Sequence, residues 1–209
     1  IGAGHIGNYH AQQIKNITGA LLKGVYDLSS KQAAKVAAKY NSQTFDSLQE
    51  ILEVCSAVTI ATPAESHFEI AIRALEKNCH VFIEKPITTN LPDAEKIIAL
   101  AKQKKLLVQV GHIERFNPAF VQLLQKPNIN SVKFIESERL APFNVRGLDV
   151  DVVLDLMIHD IDLILQLKRC DVKNIEALGV NVLSDTIDLA NARIVFEDNS
   201  VANLTASRI

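Results

Sequence analysis

The stretch His80-Val81-Phe82-Ile83-Glu84-Lys85-Pro86 decides the fold, because a mainly apolar run of strand length ends abruptly in two charged residues and a proline. Short runs of this kind are typical of parallel strands that are buried on both faces of a sheet. The carboxyl ends of such strands border ligand crevices, where Lys85 can donate hydrogen bonds to a substrate hydroxyl or carbonyl. Pro86 restricts Lys85 to extended geometry and so sets its direction. A surface lysine that merely follows a strand is the alternative.

The first half of the chain alternates short apolar runs with helical patterns. This alternation predicts an α/β fold, a Rossmann domain with a doubly wound parallel sheet and helices on both faces. Asp46 is the predicted N-cap of the third helix, and Pro92 suits the first turn of the fifth. The predicted strands are 21–27, 57–62, 80–85 and 106–112, and the predicted helices are 5–15, 31–40, 46–54, 66–77 and 92–104.

The pattern changes near residue 113, after which long strands follow one another. We therefore predict a Rossmann domain over residues 1–113 and an α+β domain with a mostly antiparallel sheet over 114–209. Glu197-Asp-Asn-Ser200 is typical of a tight hairpin connection. Because the chain enters its first turn with almost no preceding strand and stops inside a predicted one, we expect both domains to be truncated. The predicted helices are 116–125 and 151–167, and the predicted strands are 132–140, 174–182, 188–197 and 200–209.

The composition argues against several functional classes. The 209 residues carry a formal net charge of −2, which gives no electrostatic case for binding nucleic acid or an anionic membrane. The apolar runs all fall short of the roughly 20 residues of a membrane-spanning helix. Three widely separated cysteines without a CxxC pair favour a reduced, cytoplasmic compartment. No residue cluster predicts a metal site.

A glycine-rich turn, Gly2-Ala-Gly-His-Ile-Gly7, matches the dinucleotide fingerprint Gly-x-Gly-x-x-Gly. Its first glycine permits a tight turn, its second lets a pyrophosphate approach the backbone, and its third lets helix and strand pack closely. Asp27 ends the next predicted strand, 20 positions beyond Gly7, where a carboxylate accepts hydrogen bonds from a ribose and repels a 2′-phosphate. The pattern predicts NAD, with NADP less favoured, bound by Gly2, Gly4, His5, Ile6, Gly7 and Asp27.

Two further strand ends are expected to border the same cofactor. Thr62 and Pro63 end the strand 57–62, although an ordinary strand-ending turn is the alternative. His67 starts the helix that follows, and a structural role is the alternative to a cofactor contact. Glu84 and Pro86 flank Lys85 at the end of the neighbouring strand. We therefore add Thr62, Pro63, His67, Glu84, Lys85 and Pro86 to the candidate cofactor site.

The predicted helix 151–167 carries a third group of polar residues. Asp155, His159, Asp162 and Gln166 are spaced 4, 3 and 4, which places them on one helical face. The stripe lacks Lys, Arg and Glu, which is unusual for a solvent face, although an amphipathic helix with a thin solvated stripe is the alternative. An aspartate one turn from a histidine can orient the imidazole, so His159 is a candidate general base for a hydroxyl proton.

In this order the motifs resemble the Gfo/Idh/MocA family of oxidoreductases, and the resemblance covers essentially the whole chain. It is carried by Gly2–Gly7, Thr62-Pro63, Glu84-Lys-Pro86 and the Asp-x-x-x-His pair of Asp155 and His159. The resemblance implies that Lys85 contacts the substrate hydroxyl, that His159 acts as acid and base, and that Asp155 supports His159. It also implies a homodimer or homotetramer formed through the sheet of the second domain.

Finer stretches are similar to one branch of that family, the nucleotide-sugar dehydrogenases that oxidise the 3-hydroxyl of UDP-N-acetylglucosamine. These stretches are residues 110–118, 141–147, 188–193 and 202–208. The resemblance implies NAD-dependent oxidation of a sugar ring hydroxyl to a ketone. Arginines in these stretches suit a pyrophosphate or uridine partner, although a structural role is the alternative for each of them. The candidate substrate residues are His112, Arg115, Asn117, Arg146, Arg193 and Arg208.

Three alternatives stay open. The same chemistry can act on a free polyol or aldose, of the inositol or glucose type. A non-catalytic sensor or regulator that binds a dinucleotide is an alternative of another class, although a sensor needs neither Lys85 nor His159. The third alternative is that the chain is inactive as it stands, because parts of both sheets are missing.

Overall fold

The computed structural model of the chain describes residues 1–144 and 149–209. The chain divides into two compact units, Ile1–Gly111 and His112–Ile209, whereas the sequence placed the boundary after residue 113. The predicted fold class is confirmed: the first unit combines helices with parallel strands, and the second holds a mostly antiparallel sheet. None of the helices in the described part of the chain has the length and apolar character that crossing a membrane requires.

The first unit alternates helices with short parallel strands, as predicted. Strands β1 and β2 pair with each other, and β3, β4 and β5 form a second sheet in that order. Strand β2 was not predicted, because it is only two residues long and both are exposed. The helices are α1 (His5–Asn16), α2 (Ser30–Lys39), α3 (Leu48–Val54), α4 (His67–Glu76) and α5 (Leu91–Lys104), and the strands are β1 (Gly24–Val25), β2 (Gln43–Thr44), β3 (Ala57–Ile60), β4 (His80–Ile83) and β5 (Val108–Val110).

The first two residues of the chain lie between the two strand groups. The Gly2 N–H donates to the Tyr26 carbonyl at 2.9 Å, and the Ile1 amino group donates to the Thr59 carbonyl at 2.8 Å. A groove of about 640 Å³ runs beside them, along the amino-terminal halves of the strands. Ligands of parallel sheets sit beyond the carboxyl ends, so this groove is not the candidate site.

Side-chain caps fix where the helices begin. The N-cap of α3 is Ser47 and not the predicted Asp46: the Ser47 hydroxyl accepts the Glu50 N–H at 3.2 Å, and the Glu50 carboxylate accepts the Asp46 N–H. The arrangement resembles a capping box, except that Glu50 accepts the N–H of the residue before the N-cap, and the helix starts one residue later than predicted. Asn90 caps α5, and Pro92 lies in its first turn, as predicted.

Burial of the ends of β3 and β4 fixes the position of the loops that follow them. Ile60 and Ile83 are the last residues of the two strands, and both are fully buried. Full burial of each isoleucine side chain contributes about 1.5–3 kcal/mol. The ladder continues for one more step, since the Glu84 N–H donates to the Ile60 carbonyl at 3.0 Å. The Glu84-Lys85-Pro86 segment therefore leaves a rigid strand end.

The second unit packs one helix layer on a four-stranded sheet of order β6-β9-β8-β7. The predicted turn joins β8 to β9 as an antiparallel hairpin. Strand β6 pairs with β9 in parallel, which the succession of strands did not indicate. Every residue of the edge strand β7 is exposed. The elements are α6 (Pro118–Leu124), α7 (Ile158–Lys168), β6 (Phe134–Leu140), β7 (Val172–Val180), β8 (Leu189–Phe196) and β9 (Val201–Ser207).

The predicted regular helix over 151–167 is wrong in its first part. A π-helical turn, Val153–Met157, precedes α7 and contains Asp155. The Asp151 carboxylate caps this turn by accepting the Leu154 N–H at 2.9 Å. A π-helical turn holds more residues per turn than an α-helix, so the regular spacing of the polar stripe is interrupted at Asp155.

Candidate active site

The three glycines of the first turn have three different physical roles. Gly2 has φ +87°, and a Cβ there would lie 2.6 Å from the Ala61 carbonyl oxygen. A Cβ on Gly7 would lie 1.8 Å from the Gly2 carbonyl oxygen, so only glycine lets α1 pack this closely. A Cβ on Gly4 would meet no heavy atom of the described residues within 4 Å. The turn itself therefore requires Gly2 and Gly7, while Gly4 faces open space.

The open space at Gly4 lies at the N-terminus of α1. The first turn of this helix contains no acidic residue, and its exposed members include His5 and Ile6. Backbone N–H groups at a helix N-terminus attract anions, and a glycine there lets a phosphate approach closely. The turn thus fits a dinucleotide pyrophosphate.

Asp27 is bound to the same turn. Its carboxylate accepts the Ala3 N–H at 2.7 Å with one oxygen and the Ser29 N–H at 2.7 Å with the other. Ser29 caps α2, so Asp27 ties the glycine turn to the start of the next helix. Each carboxylate oxygen has room for a second hydrogen bond. Asp27 can therefore hold the turn and still accept a ribose hydroxyl.

The Gly4→Ala substitution separates cofactor binding from folding. The backbone φ of Gly4 is −69°, which alanine adopts without strain. We therefore expect the melting temperature without cofactor to stay unchanged. The added methyl group fills the space that a pyrophosphate would use, and we expect the Kd for the dinucleotide to rise by about tenfold or more. Titration calorimetry measures the Kd. An unchanged Kd would place the dinucleotide elsewhere.

His67 joins the loops that follow β3 and β4. It is 1% exposed, its Nδ1 lies 2.8 Å from the Pro86 carbonyl oxygen, and its Nε2 lies 2.9 Å from the Thr62 carbonyl oxygen. Both ring nitrogens therefore face the protein backbone. This geometry favours the structural alternative for His67 over a cofactor contact through its ring nitrogens. Pro63 opens the 3₁₀ turn Ala64–Ser66, which leads into α4.

Glu84 contacts a residue that the sequence analysis did not select. Nε2 of His10, on α1, lies 2.8 Å from a Glu84 carboxylate oxygen, and the His10 ring packs edge-on against Phe82. The carboxylate also lies against Gly111, where a Cβ would come within 3.0 Å of it. Lys85 follows Glu84, and its peptide bond to Pro86 is cis. His10 follows Gly7 by one helical turn, and this helical spacing is the signal that could have found it.

Two other aspartates of α7, Asp162 of the polar stripe and Asp160 outside it, pair with arginines. Asp162 accepts the Arg115 Nε at 2.8 Å and also the Arg115 Nη2, and Asp160 accepts Arg139 in the same bidentate way at 2.7 and 3.0 Å. The hydrogen bonds from these carboxylates raise the pKa of each arginine above its ordinary value. Bidentate pairs fix direction as well as distance. These pairs hold α7 in place.

Asp155 and His159 lie at the junction of the π-helical turn with α7. Both are half-buried, and His159 is the second residue of α7. π-Helical turns are rare and concentrate at functional sites. The π-helical turn is therefore a local indication of a functional site in the second unit, and the sequence pattern did not reveal it.

The remaining candidate substrate residues fall into separate environments. His112 Nδ1 lies 3.9 Å from Asp162, so His112 and Arg115 meet at the same carboxylate. Asn117 caps α6 by accepting the Ala119 N–H, which gives it a structural role. Arg193 donates to Asn203 across the exposed face of the sheet. Arg146 lies outside the described residues.

Arg208 is a structural residue of the second unit. It is 4% exposed and donates to the Asp188 carboxylate and to the Val150 carbonyl, each at 3.0 Å. Burial disfavours the Asp188 charge, but hydrogen bonds from Ser184 and from three backbone N–H groups hold its pKa below the ordinary range. These contacts account for Arg208 without a substrate.

Comparison with known proteins agrees with this geometry. Residues 1–112 match the model of the GFO_IDH_MocA family, described as an oxidoreductase family with an NAD-binding Rossmann fold. Over all its 209 residues the chain is 40% identical to UDP-N-acetylglucosamine 3-dehydrogenase of Acidithiobacillus ferrooxidans, 66% of which it covers. A solved structure of that enzyme superposes with a TM-score of 0.92, over all of this chain and 68% of that one.

A more distant relative has a different substrate in its name. The chain is 25% identical to scyllo-inositol 2-dehydrogenase (NAD(+)) of Bacillus subtilis, again over its full extent and 66% of the relative. The chain thus spans about two thirds of the length of these relatives. Because the family model matches more than half of its residues and the 40% identity runs from end to end, the chain belongs to the Gfo/Idh/MocA family of oxidoreductases.

Proposed function

We propose that the whole protein is an NAD-dependent dehydrogenase that oxidises a sugar ring hydroxyl to a ketone, namely the 3-hydroxyl of UDP-N-acetylglucosamine. The observation that carries the proposal is Lys85, which follows a rigid strand end in a domain whose glycine turn fits a dinucleotide. The choice of sugar rests on the 40% identity to an enzyme of that name.

The residues of this chain divide the chemical work between them. His159 accepts the proton of the substrate hydroxyl, and Asp155 orients its imidazole. Lys85 donates a hydrogen bond to the same substrate oxygen. This oxygen carries developing negative charge in the transition state, before the carbonyl is fully formed. A bound nicotinamide supplies a hydride acceptor for the carbon-bound hydrogen.

Asp27 supports NAD over NADP. Its carboxylate lies at the glycine turn, bound to the Ala3 and Ser29 N–H groups. A negative group at this place accepts a ribose hydroxyl and repels a 2′-phosphate. Gly2, Gly4 and Gly7 would hold the pyrophosphate, and the loops that carry Thr62, Pro63, Glu84 and Pro86 would border the nicotinamide half.

A substrate panel tests the proposal. We expect NADH production with UDP-N-acetylglucosamine at a kcat/KM at least about tenfold above that with inositol, glucose or glucose 6-phosphate, because the polar site loses hydrogen bonds when the nucleotide is absent. NADP should support turnover less well than NAD. A free polyol or aldose as the best substrate would select the alternative substrate class. Dinucleotide binding without turnover of any sugar would select the sensor or regulator.

Assembly and location are part of the same proposal. We expect a homodimer or homotetramer formed through the C-terminal sheet, where Leu178 and Val180 lie on the same face of β7 and are 71% and 41% exposed. Clusters of exposed apolar side chains of this kind mark association surfaces. All three cysteines are free thiols, which supports a cytoplasmic location.

A further inference from the structure

We infer that His10 and His67 are positioning residues for Lys85, which they hold from opposite sides through its two neighbours in the chain. His10 contacts the side chain of Glu84, and His67 contacts the carbonyl of Pro86. The inference rests on the proposed function, because the histidines are inferred to position Lys85, the residue proposed to contact the reacting oxygen.

The His67 contacts connect two loops that border the candidate cofactor site. A carbonyl oxygen only accepts hydrogen bonds, so in every protonation state of the ring at least one nitrogen donates to Pro86 or Thr62. The ring is buried, and a buried polar group that loses its partner costs free energy. His67 therefore donates to at least one of the two carbonyls, and its buried ring occupies the space between Pro86 and Thr62, which limits movement on the C-terminal side of Lys85.

The His10 contact fixes the other side. An ionised carboxylate only accepts, so the His10 Nε2 carries the proton that is donated to Glu84 at 2.8 Å. Both side chains are largely buried, and Phe82 supports the His10 ring. Gly111 leaves the carboxylate just enough room on its far side. Glu84 thus lies between α1 and the end of β5, and its backbone has little freedom.

The two histidines come from the elements that also build the dinucleotide site. Helix α1 begins at the glycine turn, and α4 follows the Thr62-Pro63 loop. The contacts therefore set the position of Lys85 relative to both loops. A displacement of a catalytic group by about 1 Å can cost about 100-fold in rate. Lys85 need not lose any contact of its own for this to happen.

Steady-state kinetics of the whole protein test the inference with the variants His67→Gln, His10→Ala and His10→Gln. For His67→Gln and His10→Ala we expect kcat to fall by about 10- to 100-fold, because the glutamine amide can take the place of Nε2 against Thr62 but not of Nδ1 against Pro86. The KM for the sugar and the Kd for NAD should stay within about threefold, because the glycine turn and Asp27 are unaltered and misplacement of Lys85 acts mainly on the transition state. His10→Gln should recover most of kcat, since its amide can still donate to Glu84. Ile70→Val, a core substitution on the same helix as His67, controls for loss of stability and should keep kcat.

Each histidine variant is then combined with Lys85→Ala and followed in single turnovers at high enzyme concentration. If the histidines act through Lys85, the added substitution lowers the rate of Lys85→Ala by less than about twofold. The inference would be overturned if the rate losses of the single variants multiplied in the double variants. A normal kcat in folded His67→Gln and His10→Ala would overturn it as well. Should His67→Gln fail to fold, the His10→Ala and His10→Gln pair decides alone. Normal turnover of Lys85→Ala itself would refute the proposed function instead.

Discussion

His159→Ala is expected to lower kcat by about 10²- to 10⁴-fold, the contribution of a positioned general base. The proton of the sugar hydroxyl would then have no acceptor in the transition state, and water is a poor substitute at neutral pH. The Kd for NAD should remain unchanged, because the glycine turn and Asp27, which are proposed to hold the dinucleotide, are unaltered. Stopped-flow measurement of NADH formation, together with titration calorimetry, measures both quantities.

Added imidazole distinguishes a lost base from a damaged helix. It can enter the space left by the histidine ring, so we expect turnover of His159→Ala to rise with imidazole concentration. Leu165→Ala, on the same helix and at a 43% exposed position, should keep normal kcat. Near-normal turnover of His159→Ala without imidazole would remove His159 from the mechanism.

The sequence predicted the fold well wherever one periodicity dominated a segment. The β3 and β4 runs and the α5 pattern were found to within a few residues, because the strands are short apolar runs and the start of α5 carries a proline that suits a first helical turn. It failed where structure depends on distant partners. Strand β2 exists only because β1 offers it an edge, and the parallel pairing of β6 with β9 joins segments far apart in the chain.

The candidate site shows the same limit. Gly2 and Gly7 were identified because their roles are local, in backbone angle and close packing. The His10–Glu84 and His67–Pro86 contacts join residues 74 and 19 positions apart; the helical spacing from Gly7 could have selected His10, but no local pattern identifies the partner of either histidine. The Arg115 and Arg208 side chains were assigned to substrate from their residue type and from the family resemblance of the stretches around them, whereas Asp162 and Asp188 pair with them. The π-helical turn escaped detection because its residues fit a regular helix equally well.

Lys85→Ala is expected to lower kcat by about 10²- to 10³-fold, the usual cost of removing one hydrogen-bond donor to a developing oxyanion. The donor matters most in the transition state, so kcat should fall far more than the KM for the sugar rises. The Kd for NAD should stay within about threefold, because the glycine turn and Asp27 are unaltered. Lys96→Ala is the matched control: this lysine pairs with Asp93 on the exposed face of α5, where an ion pair contributes little.

The comparison with His159→Ala makes the result specific. Both variants should lose turnover and keep the cofactor, but added imidazole should restore only His159→Ala, because imidazole replaces a base and does not replace a cationic donor at the end of β4. A Lys85→Ala enzyme with normal kcat would show that the carbonyl oxygen finds its donor elsewhere. A variant whose Kd for NAD rose while kcat at saturating NAD stayed normal would instead make Lys85 a cofactor ligand, since removal of an interaction with the cofactor alone weakens ground state and transition state equally.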